Sequence, residues 1–132
     1  MNFYSNKLSS KKYLKVIQGK KKLSKEYILQ NFGSLIGDRS LFKFLVCFEL
    51  LKKTKKIKGD IIEFGVWNGN NLLSLKKIHD YLNLNKKIIG YDHFKGMPKN
   101  SRDFFRNSFH GDLRFLKKLI KFFKFKNLRL IN

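Results

Sequence analysis

Apolar positions along the chain change period several times, and each change marks a structural element. Between residues 38 and 57, Leu41, Phe44, Leu45, Phe48 and Leu51 recur three and four residues apart, the spacing of one helix face. Asp38 or Ser40 can cap the start of this helix, lysines crowd its end where they oppose the helix dipole, and Gly59 stops it. Residues 60–66 (Asp60-Ile61-Ile62-Glu63-Phe64-Gly65-Val66) read as a short strand leading into a turn at Trp67-Asn68-Gly69-Asn70-Asn71. A second helix follows, with Leu72, Leu75, His79 and Leu82 on its inner stripe and Ile78 beside it. Residues 87–92 form a second strand, and His93 to Pro98 a loop. A third helix starts near Asp112, its apolar face made by Leu113, Leu116, Ile120 and Phe123, and a third strand covers residues 127–131.

Helices alternating with strands predict a parallel sheet built from crossover units. The fold class expected is α/β, a partial Rossmann-like sheet with flanking helices, equivalent to one half of a doubly wound fold. Residues 1–34 are basic and weakly patterned, and read as an N-terminal arm or short helices ahead of the domain at 35–132.

Composition narrows the class. The chain has 132 residues, enough for one small domain, and its 42% hydrophobic and 15% aromatic content excludes an intrinsically disordered polymer. Lysines interrupt every apolar run, so no membrane span is expected, and the N-terminus lacks the apolar core of a secretory signal. Cys47 is the single cysteine, which excludes an internal disulfide framework and a CxxC metal site. Within its apolar segment it reads as a small buried hydrophobe. A cytoplasmic domain is the expectation.

Lys plus Arg number 30 against 9 acids, a formal charge of +21. Such a charge invites phosphate binding. Yet only Arg39, Arg102, Arg106, Arg114 and Arg129 are arginine, the residue suited to bidentate phosphate and base contacts. The sequence contains no alanine and abounds in residues with AT-rich codons, so base composition accounts for much of the lysine. A solvated face is the leading reading and no specific nucleic acid partner is expected. A non-enzymatic basic module that binds RNA or an anionic surface is the alternative.

Ligands of such sheets bind beyond the carboxyl ends of the strands. Two features fall there: the run Glu63 to Gly69, and Asp92. Glycines let backbone approach a ligand, the helix start offers N–H groups, and an acidic residue at a strand end can accept two hydrogen bonds from a ribose diol. The spacing is Gly65-x-x-x-Gly69, with Trp67 where a second glycine of GxGxxG would stand. That loop suits a ligand with a ribose and an amino-acid end better than a pyrophosphate. A plain structural turn also explains the glycines, and a nucleotide-binding oxidoreductase half-domain is disfavoured by the missing GxGxxG.

The run Gly59-Asp60-Ile61-Ile62-Glu63-Phe64-Gly65-Val66-Trp67-Asn68-Gly69, followed by Asp92-His93-Phe94-Lys95-Gly96-Met97-Pro98, resembles the macrocin O-methyltransferase family of class I S-adenosylmethionine-dependent methyltransferases. The resemblance covers about residues 35–131 and is carried by residues 59–69 and 89–98. It implies S-adenosylmethionine as cofactor and a small-molecule hydroxyl, often on a sugar, as acceptor. It further implies that Glu63 holds the methionine ammonium end through water or backbone. Gly65, Val66 and Trp67 line the methionine part, with Gly69 completing the loop. Asp92 binds the ribose hydroxyls and Phe94 borders the adenine. Asn70 and Asn71 stand where the family has small residues.

A complete sheet of this class has seven strands and the pattern here supplies three, so the expectation is a domain truncated after its third strand. The family's catalytic and divalent-metal (magnesium) aspartates belong to later strands. No catalytic residue is therefore assigned and no metal ligands are expected in this chain. An inactive fragment, or a second chain or homo-oligomer that completes the sheet, follows as an expectation. His79, His93 and His110 share no metal-ligand spacing. His79 reads as a helix-face residue, His93 as part of the cofactor loop, and the Phe109-His110-Gly111-Asp112 segment as a loop capped by Asp112 or as a substrate-side His110.

Overall fold

The computed structural model describes Lys15 and residues 23–132. The arm expected over residues 1–34 is therefore described only at Lys15 and from Leu23 onward, and the Lys20-Lys21-Lys22 run lies outside the described residues. Two compact units divide after Lys43.

In the first unit, α1 (Lys25–Gln30) starts at Ser24, whose hydroxyl accepts the Tyr27 N–H at 3.0 Å. The short helix α2 (Phe32–Leu35) follows directly. Helix α3 (Asp38–Lys53) crosses the division. Its start is as predicted, but it ends four residues before the expected residue 57. The Leu50 carbonyl accepts both the Thr54 N–H and the Thr54 hydroxyl at 2.9 Å, the Lys55 N–H then turns to the Lys52 carbonyl at 3.3 Å, and the chain continues as turns rather than helix. Lys86 fixes this turn by donating to the carbonyls of Ile57 and Gly59.

In the second unit, β1 (Ile61–Phe64) leads to α4 (Asn70–Tyr81), β2 (Ile88–Tyr91), α5 (Leu113–Phe122) and β3 (Leu128–Ile131). All pairings are parallel, in the order β1-β2-β3, with Ile61 opposite Ile88 and Ile88 opposite Leu128. The three parallel strands and flanking helices are those the sequence pattern predicts. Asp112 caps α5 as expected, accepting the Phe115 N–H at 2.8 Å.

The period of two within each strand divides the sheet into two faces. Ile61, Ile88 and Leu128 belong to the face that builds the core with Val66, Leu72, Leu73, Phe94 and Leu116. Leu72, Ile88 and Leu116 are fully buried, and each stabilises the fold by roughly 1.5–3 kcal/mol relative to an exposed side chain. Gly90 on β2 admits the helix this closely, because a Cβ there would stand 2.7 Å from Val66 and 2.8 Å from Leu72. Ile62 and Phe64 belong to the opposite face and are 51% and 79% exposed.

Helix α4 buries two residues that hydrophobic patterning does not select, Leu73 and Lys76. Lys76 pairs with Asp80, and its ammonium lies 5.5 Å from the centre of the Phe125 ring. His79 is buried as well, its Nε2 2.9 Å from the Lys86 carbonyl and its Nδ1 3.0 Å from Asp80. These paired groups satisfy the polar atoms of an otherwise apolar helix face.

Candidate functional site

The chain leaves β1 at Phe64 and must turn into α4 within five residues. Gly65 and Gly69 permit this, with φ of 83° and 79°. Trp67 also adopts a left-handed conformation, φ 51°, which costs a non-glycine residue about 1 kcal/mol. Its compensation is on the opposite loop. The Trp67 N–H donates to Asp92 Oδ2 at 2.6 Å, while the Phe94 N–H donates to Asp92 Oδ1 at 2.6 Å. Phe94, at φ 58°, is held in the same way. One carboxylate at the end of β2 thus ties the β1 and β2 loops together through charge-assisted bonds.

The sheet ladder continues just past the strands, the Gly65 N–H donating to the Tyr91 carbonyl at 2.9 Å and the Asp92 N–H to the Ile131 carbonyl at 3.1 Å. Beyond it lies a depression of about 550 Å³ bordered by Phe64, Gly65, Tyr91, Asp92, His93 and Ile131. Nothing stands within 4 Å of a Cβ placed on Gly65, so that backbone is open to a ligand. Phe64 and Tyr91 stack with ring centres 5.2 Å apart. The His93 ring nitrogen accepts the Lys95 N–H at 3.0 Å and shapes the loop.

Of the residues singled out from the sequence, Gly65 and Asp92 border this depression. Glu63 lies half-buried on β1, where its Oε1 accepts the Asn71 amide at 3.0 Å. The same amide group's oxygen lies 3.8 Å from the Cys47 sulfur. Asn70 and Asn71 therefore do not disturb the helix start. Asn70 opens α4, and Asn71 orients Glu63. Val66 and Phe94 are buried in the core at 4% and 5% exposure. Gly69 is buried against Leu116. Trp67 stays half-exposed and faces the β2–α5 loop, its indole N–H donating to the His110 carbonyl at 3.1 Å. Tyr91 and Ile131 also border the depression and were not selected from sequence, while His93, read there as part of the cofactor loop, borders it too. Their signal was available in their positions at strand ends.

A family model described as macrocin O-methyltransferase (TylF) matches residues 5–119. The chain belongs to the macrocin O-methyltransferase family. The fold of this family member is that of solved methyltransferases. It is similar to CalS11, the calicheamicin methyltransferase, with a TM-score of 0.76 at 16% identity over 98% of this chain and 59% of that one. An apo structure titled as the TDP-rhamnose 3'-O-methyltransferase CalS11 gives 0.70 at 16% identity, over 98% and 57%. The O-methyltransferase NovP gives 0.55 at 17% identity, over 73% and 45%. The chain thus spans less than two thirds of the length of these structures. No curated protein sequence matches it.

Among the described residues, no helix is long and apolar enough to cross a membrane. No three histidine, cysteine or acidic side chains there are grouped to hold a metal ion.

Proposed function

We propose that this member of the macrocin O-methyltransferase family binds S-adenosylmethionine across the ends of β1 and β2 and takes part in methylating a hydroxyl on a sugar or other small molecule. The observation that supports this best is the pairing of an open, left-handed Gly65 with Asp92 at the rim of one depression. A ribose diol can donate to the remaining lone pairs of the Asp92 carboxylate, since each oxygen already accepts only one backbone N–H. Gly65 leaves room for the amino-acid end to lie on backbone, and Glu63, held by Asn71, lies two residues before it to balance the ammonium charge.

When bound, the cofactor supplies an electrophilic methyl group on a sulfonium. This chain's own residues bind and orient it. Holding the methyl group and the acceptor oxygen in line accounts for much of the rate gain in such transfers. The acceptor class is supported by the family and by two structural neighbours, CalS11, a TDP-rhamnose 3'-O-methyltransferase, and the O-methyltransferase NovP. In this reading the protein acts in the cytoplasm, and the exposed β1 face is completed by further polypeptide or by a second copy.

The test is calorimetric titration of S-adenosylmethionine and S-adenosylhomocysteine at moderate and high salt. A protein of charge +21 has no bulk electrostatic attraction for a cationic sulfonium. Saturable, salt-tolerant binding supports the reading. A folded chain that binds neither compound overturns it.

A further inference from the structure

Two lysines are buried among the described residues, Lys76 and Lys86, at 2% and 9% exposure. A lysine ordinarily lays its stem on the surface and keeps its charge in water. The neighbouring Lys87 is exposed in that way. Lys76 is compensated, because it pairs with the Asp80 carboxylate and lies over the Phe125 ring. Lys86 is not. Its ammonium donates to the carbonyls of Ile57 and Gly59, both neutral, and among the described residues it forms no ion pair. An ammonium has three N–H groups, so one remains for another acceptor. Taking a charge out of water without a counter-charge is costly. Lys86 is nevertheless held in place, its own carbonyl lying 2.9 Å from His79 Nε2.

Lys86 forms part of the wall of a cavity of about 330 Å³, all of whose lining residues belong to the second unit. The rest of the wall is largely apolar: Cys47, Leu50 and Leu51 from α3, Ile57 and Ile61 from the turn and the start of β1, and Leu75 from α4. Leu51 and Leu75 belong to a buried cluster, whereas Leu50 and Ile57 are 56% and 61% exposed, so the cavity opens to solvent beside them. Of the other charged groups at its edge, Lys58 adds positive charge, and Asp60 Oδ1 accepts the Lys87 N–H at 3.1 Å. The cavity lies where β1 and β2 begin, and the depression bordered by Gly65 and Asp92 lies where they end.

We propose that this cavity is a second binding site, and that its ligand is a small monocarboxylate with an apolar body, such as a medium-chain fatty acid. The carboxylate accepts the remaining Lys86 N–H and supplies the counter-charge, while the hydrocarbon fills the space beside Leu51, Ile61 and Leu75. An apolar lining with one convergent polar group, in a volume of about 300–1,000 Å³, is the usual form of a small-molecule pocket. One spare N–H suits a singly charged carboxylate better than a phosphate dianion, which needs several donors. The site is independent of the methyltransferase reading, since it shares no residue with the cofactor depression.

The experiment follows backbone amide shifts of the isotope-labelled full chain by NMR. It titrates octanoate below its micellar concentration, octanol and acetate, each at moderate and high salt. Expected are saturable octanoate shifts at Leu51, Ile61 and Leu75 that persist at high salt, because a buried pair is screened little. Octanol, which lacks the charge, and acetate, which lacks the apolar body, should each bind at least about tenfold more weakly. Lys86→Met keeps the length of the side chain and removes its charge, and should weaken octanoate at least about tenfold. Leu50→Trp, at an exposed position, narrows the opening with Lys86 intact and should weaken octanoate several-fold; it decides the question if Lys86→Met does not fold. The proposal is overturned by the absence of saturable shifts, or by shifts spread over the lysine-rich surface and lost at high salt. Octanol or acetate binding as tightly as octanoate, or unchanged affinity in either folded variant, also overturns it.

Discussion

The carboxylate of Asp92 and the backbone N–H of Trp67 stand 2.6 Å apart, although the residues are 25 positions apart in sequence. The second oxygen of Asp92 holds the Phe94 N–H at the same distance. Asp92 therefore shapes both loops around the depression, and in the function proposed above the same side chain also receives a ribose.

Asp92→Ala should lose both roles at once. Hydrogen bonds to a charged group contribute roughly 1.5–3 kcal/mol each, so the variant should be destabilised by about 2–4 kcal/mol after water compensates in part. Its affinity for S-adenosylhomocysteine should fall at least about tenfold. Urea melts and calorimetry of the same preparation separate the two effects. Wild-type affinity in a folded Asp92→Ala protein would remove Asp92 from the site.

Two glycine variants should divide stability from binding. Gly90→Ala places a Cβ against Val66 and Leu72, and overpacking of this kind costs typically 1–3 kcal/mol. Gly65→Ala meets no atom within 4 Å but must hold φ 83°, which costs about 1–2 kcal/mol. Its methyl group occupies the proposed cofactor approach, so affinity should fall far more than stability does. The reverse ranking in melts and titrations would mean that Gly65 is merely a turn residue.

Acid should weaken the pairing of Asp80 with Lys76 and His79 on α4. Burial alone pushes the Asp80 carboxyl up, but bonds and charge from Lys76 and His79 outweigh it and hold the group below its ordinary 3.8. A carboxyl depressed in the folded state stabilises above the unfolded pKa, and that contribution is lost as pH falls through the folded value. Because the Asp80 side chain is 47% exposed, the effect should be modest. Urea melts at neutral pH and at about pH 3 should show a smaller loss in Asp80→Asn than in wild type. An equal loss in both would assign the acid sensitivity elsewhere.

Strand β1 carries Ile62 and Phe64 at 51% and 79% exposure on an edge of the sheet. Apolar edge strands recruit partners. The 132-residue chain should self-associate in sedimentation velocity over a concentration series, and Ile62→Lys should shift it toward monomer. A wild-type monomer throughout would show that this face needs no cover.

The alternation of periods along the chain determined the order of helices and strands, because burial of one helix face or one strand face leaves a direct mark every 3.6 or two residues. It also determined the cap at Asp112 and the two loops that meet at the strand ends, since glycine, asparagine and an acidic strand terminus have local conformational reasons to be there. Local chemistry misplaced the end of α3, where the Lys55 N–H turns to the Lys52 carbonyl and Lys86, distant in sequence, holds the following turn. It also did not select Lys76 as a buried residue, because its burial depends on Asp80 and a ring 49 positions away.

Only the tertiary structure decided which loop residues border the depression. Val66 and Phe94 follow the strand ends as closely as Gly65 and Asp92 do, yet packing of α4 and α5 draws them into the core. Trp67 and Phe109 are 42 positions apart, and no pattern in the sequence pairs them. They meet because Gly111 and Asn68 bring the β2–α5 loop onto the β1 loop. Which elements form is a matter of short-range periodicity. Which side chains remain outside the core depends on long-range packing, which a linear pattern does not encode residue by residue.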